Sequence, residues 1–202
     1  MPLFAAEDLA CLRGGQLVFA GLGFALEEGE LLVLRGPNGS GKSTLLRLLA
    51  GLLPRREGRL WWRGRTCEPQ EAAHRARLHY VGHHNAVKSD LTAAENLAFH
   101  AALYGGGERV DRALAAFGLS ALGEMRVRYL SAGQRRRLAL ARLLLAPRPL
   151  WLLDEPEVGL DRPSRKALAK LLEDHLAGGG VAVVATHGDP LLPPALVLEL
   201  GA

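Results

Sequence analysis

Apolar residues along this chain gather in short runs that end at glycines or charged residues. Leu31–Arg35 (LLVLR) is such a run, stopped by a glycine, and predicts a strand buried on both faces. Residues 43–53 (STLLRLLAGLL) follow with helical length and composition. Residues 150–153 (LWLL) and 181–185 (VAVVA) predict two more buried strands. Between them, residues 162–176 place Leu168, Leu171, Leu172 and His175 near helical spacing, so an amphipathic helix is predicted there. Strands alternating with helices predict an α/β fold with a parallel sheet. The middle of the chain differs. Residues 92–104 and 109–117 are rich in alanine and leucine and predict helices, and no strand pattern lies between about 90 and 146. That stretch is expected as a helical lobe inserted into one domain spanning 1–202. Residues 9–26, strand-like around glycines, are expected as a small antiparallel part. No internal repeat interrupts this order.

Composition narrows the class. With 202 residues, 49% hydrophobic and 23% charged, the chain can bury a full core and does not read as disordered. No apolar run reaches the length needed to span a bilayer; residues 138–145 are interrupted by Arg142. The first ten residues lack a basic segment followed by an apolar one, so no secretory signal is expected. Cys11 and Cys67 are far apart, which argues against a disulfide framework or a zinc site and fits a reducing compartment. The net charge is +4, and the only lysines are Lys42, Lys88, Lys166 and Lys170. From Arg126 to Arg148 there are seven arginines and no acid. Such a stretch can face phosphate, anionic lipid or nucleic acid; its plainer reading is a solvated helix face near a nucleotide.

The strongest chemical signal is Gly36-Pro37-Asn38-Gly39-Ser40-Gly41-Lys42-Ser43-Thr44, between a predicted strand and a predicted helix. Glycines let successive N–H groups turn toward one phosphate, and the helix N-terminus adds partial positive charge. Lys42 supplies a point charge to the β- and γ-phosphates, and the Ser43 hydroxyl can ligate Mg²⁺. Asp154 and Glu155 follow the run 150–153. A carboxylate there can hold Mg²⁺, and a neighbour can orient or deprotonate an attacking water.

Leu130-Ser131-Ala132-Gly133-Gln134 resembles the signature motif of the ATP-binding cassette (ABC) ATPases, and it lies about twenty residues before Asp154 as in that family. Gly159-Leu160-Asp161 is similar to the family's D-loop, and Thr186-His187 to its switch histidine. The resemblance covers essentially the whole chain and implies a P-loop NTPase fold. It also implies head-to-tail homodimers with two ATP molecules at the interface. Lys42, Ser43 and Glu155 of one protomer would then face Ser131, Gly133 and Gln134 of the other, with His187 on the γ-phosphate and Asp161 coupling the sites. Two positions depart from the family. Arg13 stands where an aromatic residue usually stacks on adenine; a guanidinium can stack too, or Arg13 is a surface turn residue. His84 stands where the family has a metal-contacting glutamine. The stretch from Gly82-His83-His84 through Lys88 to Glu95-Asn96-Leu97, with LSAGQ followed by three arginines, resembles the ABC ATPases of cytochrome c maturation. That likeness implies a peripheral subunit on the cytoplasmic face of the membrane, using ATP and Mg²⁺. Its partners would be integral membrane subunits of the CcmB/CcmC kind, with no nucleic acid. Either haem export or release of a haem-loaded chaperone fits, and another small-molecule or lipid exporter is the alternative. His74, His79, His83, His84 and His100 are scattered and read as structural or solvated, not as haem ligands.

Overall fold

A computed structural model describes residues 1–104 and 106–201. Contacts divide the chain into two compact units, Met1–His83 with Arg148–Pro156 and Leu172–Ala202, and His84–Pro147 with Glu157–Leu171. Among the described residues no helix is long and apolar enough to cross a membrane.

The first unit opens with an antiparallel hairpin, β1 (Phe4–Arg13) and β2 (Gln16–Leu26). Arg13 pairs with Gln16, leaving Gly14 and Gly15 as a two-residue turn with φ of 57° and 79°. Two successive left-handed residues match the twist of the strands, and glycine takes them without a Cβ clash. The hairpin buries Phe4, Ala6 and Leu9 on β1 and Phe19, Leu22, Phe24 and Leu26 on β2, in alternation except where the register shifts between Ala6 and Leu9. β3 (Leu31–Arg35) and α1 (Lys42–Leu49) follow. α1 stops four residues before the expected end. Gly51, at φ 72°, closes it, with Leu52 N–H bonded to Arg47 O at 2.8 Å and Gly51 N–H to Leu48 O at 3.0 Å. That bond pair is a Schellman cap, which the left-handed glycine makes cheap.

β4 (Glu57–Trp62) and β5 (Arg65–Cys67) extend the hairpin to a four-stranded sheet in the order β2-β1-β4-β5. Neither strand stands out in the sequence, because β4 sets Glu57, Gly58 and Arg59 before Leu60, Trp61 and Trp62 and β5 has three residues. After a single helical turn, α2 (Ala72–Arg75), comes β6 (Leu78–Val81).

The second unit carries α3 (Ala93–Tyr104), α4 (Val110–Ala116) and α5 (Ala132–Ala141). Leu97, Leu114, Phe117, Leu138 and Leu145 are buried there. No strand lies among its described residues, apart from an isolated bridge between Thr92 and Arg126. β7 (Leu150–Asp154), α6 (Arg162–Ala177), β8 (Val181–Ala185) and β9 (Leu196–Glu199) complete the chain. A five-stranded parallel sheet in the order β6-β7-β8-β3-β9 lies wholly in the first unit. Every residue of β7 and β8 is buried, which is why both read as continuous apolar runs. α1 packs against β7, β8 and β1, so its leucines join the core that both sheets share.

The arginine-rich stretch is solvated only in part: Arg126 and Arg128 are exposed, but four arginines turn to acceptors inside the protein. Arg136 is buried and donates to Asn85 Oδ1 at 3.3 Å. Arg137 donates to Phe117 O at 3.0 Å, and Arg142 to Ala139 O at 2.9 Å. Arg148 donates to Arg75 O and Leu78 O at 2.8 and 2.9 Å. Short helices leave carbonyls unbonded at their C-terminal ends, and a multi-donor guanidinium satisfies them.

Candidate functional site

Parallel strands bring their C-terminal ends to one edge of the sheet, where ligands of open α/β folds bind. β8 lies between β7 and β3. The phosphate loop leaves β3, Asp154 and Glu155 leave β7, and His187 follows β8 by two residues. Topology alone therefore gathers three segments that are far apart in sequence.

The loop is shaped to receive an anion. Gly36, Gly39 and Gly41 have φ of 134°, 85° and 103°. At Gly41 a Cβ would also stand 2.8 Å from Val18 Cγ1 on β2, so glycine is required by close approach as well as by conformation. Gly41 caps α1 without any side-chain hydrogen bond, which leaves the first-turn N–H groups for a ligand. Lys42 is buried, and its ammonium donates to Gly36 O at 2.7 Å and Pro37 O at 2.9 Å. Those bonds hold the positive charge across the loop that Asn38, Ser40 and Thr44 complete. Ser40 Oγ is buried with no hydrogen-bond partner among the described residues.

Ser43 Oγ donates to Asp154 Oδ1 at 3.1 Å. A hydroxyl and a carboxylate side by side are hard oxygen donors that fit Mg²⁺. Asp154 is 1% exposed. Beside it, Glu155 has φ 49°, a left-handed conformation that costs a residue with a Cβ about 1 kcal/mol or more. Its N–H is tied to Ala185 O at 2.9 Å, which continues the β7–β8 ladder by one bond. His187 Nε2 lies 2.5 Å from Glu155 Oε1, and His83 Nδ1 lies 3.8 Å from Oε2. Tyr80, on β6, is pushed above its usual pKa chiefly by burial and keeps its phenol proton.

The remaining residues singled out in the sequence divide between the units. Arg13 is exposed at the end of β1. His84 begins the second unit, which also holds the signature and D-loop residues. Ser131 caps α5 as half of a capping box: its Oγ accepts from Gln134 N–H at 3.2 Å, while Gln134 Oε1 accepts from Ser131 N–H at 2.7 Å. Gly133 faces Gly159, whose carbonyl oxygen would stand 3.0 Å from a Cβ at 133, so the signature and the D-loop meet within this unit. Asp161 accepts from Ser164 N–H at 2.9 Å at the start of α6, and hydrogen bonds from Ser164 hold its pKa below the usual value. His83, expected to be structural or solvated, lies near Glu155. Its proximity to Glu155 depends on strand register, and neighbouring residues carry no sign of it.

Comparison with known proteins gives the family. The ABC transporter family profile matches residues 19–158. The cytochrome c biogenesis ATP-binding export protein CcmA of Paramagnetospirillum magneticum is 54% identical, over 98% of this chain and 93% of its own length. The protein of the same name from Rhodospirillum rubrum is 55% identical, over 98% and 85%. Among solved structures, the ATP-binding subunit of an ABC transporter superposes with a TM-score of 0.83 at 27% identity, covering 92% of this chain and 79% of that one. The cbiO1 subunit of the Clostridium perfringens cbiONQ transporter complex gives 0.79 at 26% identity, covering 98% and 84%. The chain belongs to the ABC transporter family as an ATP-hydrolysing subunit, within the group of cytochrome c biogenesis ATP-binding export proteins, CcmA.

Proposed function

We propose that this chain is the ATPase on the cytoplasmic face of a membrane complex that handles haem during cytochrome c maturation. Its relatives over almost the full length carry the cytochrome c biogenesis and export name, and that observation carries the reading. Its membrane partners are integral subunits of the CcmB/CcmC kind, and two copies of the chain close head to tail on two ATP molecules.

The roles follow from the positions. Lys42 exchanges its loop carbonyls for the β- and γ-phosphates, and N–H groups of the loop and of the first turn of α1 take phosphate oxygens. Ser43 and Asp154 would hold Mg²⁺, which when bound offsets phosphate charge. Glu155 accepts a proton from water as the water oxygen bonds to the γ-phosphorus and the bond to the ADP oxygen breaks with its electron pair. The proton then passes to solvent. His187 reaches the γ-phosphate. Ser131, Gly133 and Gln134 of the second copy bring the N-terminus of α5 to the same phosphate, where helix dipole and N–H groups favour the anion. Asp161 couples the two sites, Arg13 lies by the base, and His84 reaches the metal's water shell.

The test is a Glu155→Gln chain incubated with ATP in native membranes and recovered with whatever integral proteins it holds. Cytochrome c maturation subunits, together with an ATP-trapped dimer by light scattering, are expected. Recovery of an unrelated permease would remove the haem assignment, and normal turnover in Glu155→Gln would remove the role of Glu155.

A further inference from the structure

A second cavity of the first unit shares no lining residue with the phosphate-binding edge. The chain turns between β4 and β5 at Arg63 and Gly64, with φ of 48° and 73°, and this two-residue turn pairs Trp62 with Arg65. After α2, Arg77 leads into β6. Its N–H donates to His74 O at 3.0 Å, and its carbonyl accepts from Leu150 N–H at 3.1 Å. So anchored, it lays its guanidinium over the Trp62 ring, 5.5 Å from the centroid. Between the β4–β5 hairpin and the segment from α2 to β6 lies a cavity of about 460 Å³, bordered by Trp62, Arg63, Arg65, Cys67, Glu71 and Arg77.

Positive charge around this cavity is not matched by the protein. Arg55 is neutralised by Glu68 through two bonds of 2.7 Å, and Arg63 by Glu28 at 3.3 Å. Arg65 and Arg77 have no carboxylate partner among the described residues, and Glu71 is the one acid among the residues that border the cavity. Arg77 uses the face of its guanidinium on the indole, which leaves the N–H edge to donate. A planar fork of this kind matches two oxygens of one phosphate. The Cys67 thiol is pushed above its usual pKa chiefly by burial, so it stays uncharged and does not repel an anion. With Trp62 it gives the cavity an apolar wall. The volume exceeds what a bare phosphate fills and lies in the range of small-molecule sites, about 300–1,000 Å³. An esterified phosphate carries about −1.5 to −2 charges near neutral pH, which balances two guanidinium groups.

We propose that this cavity binds a phosphate monoester, held by Arg65 and Arg77, with Trp62 fixing the guanidinium of Arg77 and Cys67 facing the organic part. A small soluble ester and a phosphatidate headgroup share this chemistry. The site is separate from the ATP site and does not depend on the haem assignment.

Two binding measurements on the full chain test it: calorimetry with glycerol 3-phosphate, and co-sedimentation with phosphatidylcholine vesicles with and without phosphatidate. The phosphate loop also takes phosphate, so both are made on wild type, Lys42→Ala and Arg65→Gln/Arg77→Gln. Binding in at least one measurement is expected, unchanged in Lys42→Ala and weakened ~10- to 100-fold in the double variant, as loss of charge-assisted bonds requires. Arg65→Gln alone, at an exposed position, should weaken it as well, and serves if loss of the Arg77 stack impairs folding, which thermal unfolding checks. Saturation by glycerol 3-phosphate identifies a soluble ester, and binding to phosphatidate vesicles alone identifies the headgroup. Absence of binding in both measurements, loss in Lys42→Ala with binding kept in Arg65→Gln/Arg77→Gln, or equal retention on vesicles without phosphatidate would overturn the proposal.

Discussion

Polar residues of the phosphate-binding edge and of the signature region are held in opposite ways. At the edge, partners lie far apart in sequence: Ser43 with Asp154, Glu155 with both His83 and His187. In the signature region they lie three residues apart: Ser131 with Gln134, Asp161 with Ser164, and likewise Thr92 with Glu95 at the start of α3. The first kind of site exists only once the parallel sheet has formed. The second is made of helix caps, which form with the helix itself. Damage at the edge should therefore appear in chemistry and damage in the signature region first in stability.

Removing the buried ammonium breaks the edge most severely. Lys42→Ala should weaken ATP binding roughly 10- to 100-fold, since charge-assisted bonds to phosphate are worth about 1.5–3 kcal/mol. Calorimetry with unchanged affinity would contradict this. Ser43→Ala should leave the fold intact and raise the Mg²⁺ concentration needed for half-maximal turnover by an amount on the order of 10-fold. A metal titration that superposes on wild type would sink that role. Ser131→Ala sharpens the contrast, because loss of the cap should cost about 1 kcal/mol and lower Tm by about 2–4 °C. Ser131→Asn, which keeps a capping oxygen, should recover the Tm whatever happens to turnover. A further effect is one of pH. His100 on α3 is held down from 6.5 to about 4, chiefly by burial and then by Arg142 and Lys88. A histidine depressed on folding adds stability above pH 6.5 that is lost as pH falls toward 4, because the unfolded chain takes up the proton first. His100→Gln should flatten the fall of Tm between those values, and an unchanged slope would locate the acid sensitivity elsewhere. In the first unit, burial also lowers His74 and His175. The same analysis at His175, stacked on Trp151 at 4.0 Å between ring centroids, tests whether the acid response is shared.

The same distinction explains what the sequence revealed. The phosphate loop and the signature are contiguous, so composition and spacing display them. Asp154 and Glu155 were visible because β7 is apolar over its length before them. β4, β5, β6 and β9 do not read as strands: β4 and β5 mix charged residues with apolar ones, and β6 and β9 have four residues each. His83 was taken for a structural or solvated histidine because only the β6–β7 register brings it to Glu155. The arginines between 126 and 148 looked like one basic face. A run of charge does not reveal that Arg136, Arg137, Arg142 and Arg148 turn to acceptors inside the protein.

The left-handed backbone at Glu155 sets a limit on how far this chain can be improved. Glycine would adopt that conformation without a Cβ penalty, so selection for thermostability alone would favour it at 155. Keeping glutamate there means accepting a local loss of robustness for the sake of a carboxylate. A consensus or stabilising redesign that ranks substitutions by folding free energy will nominate this position and, on the role proposed for Glu155, silence the enzyme in taking it.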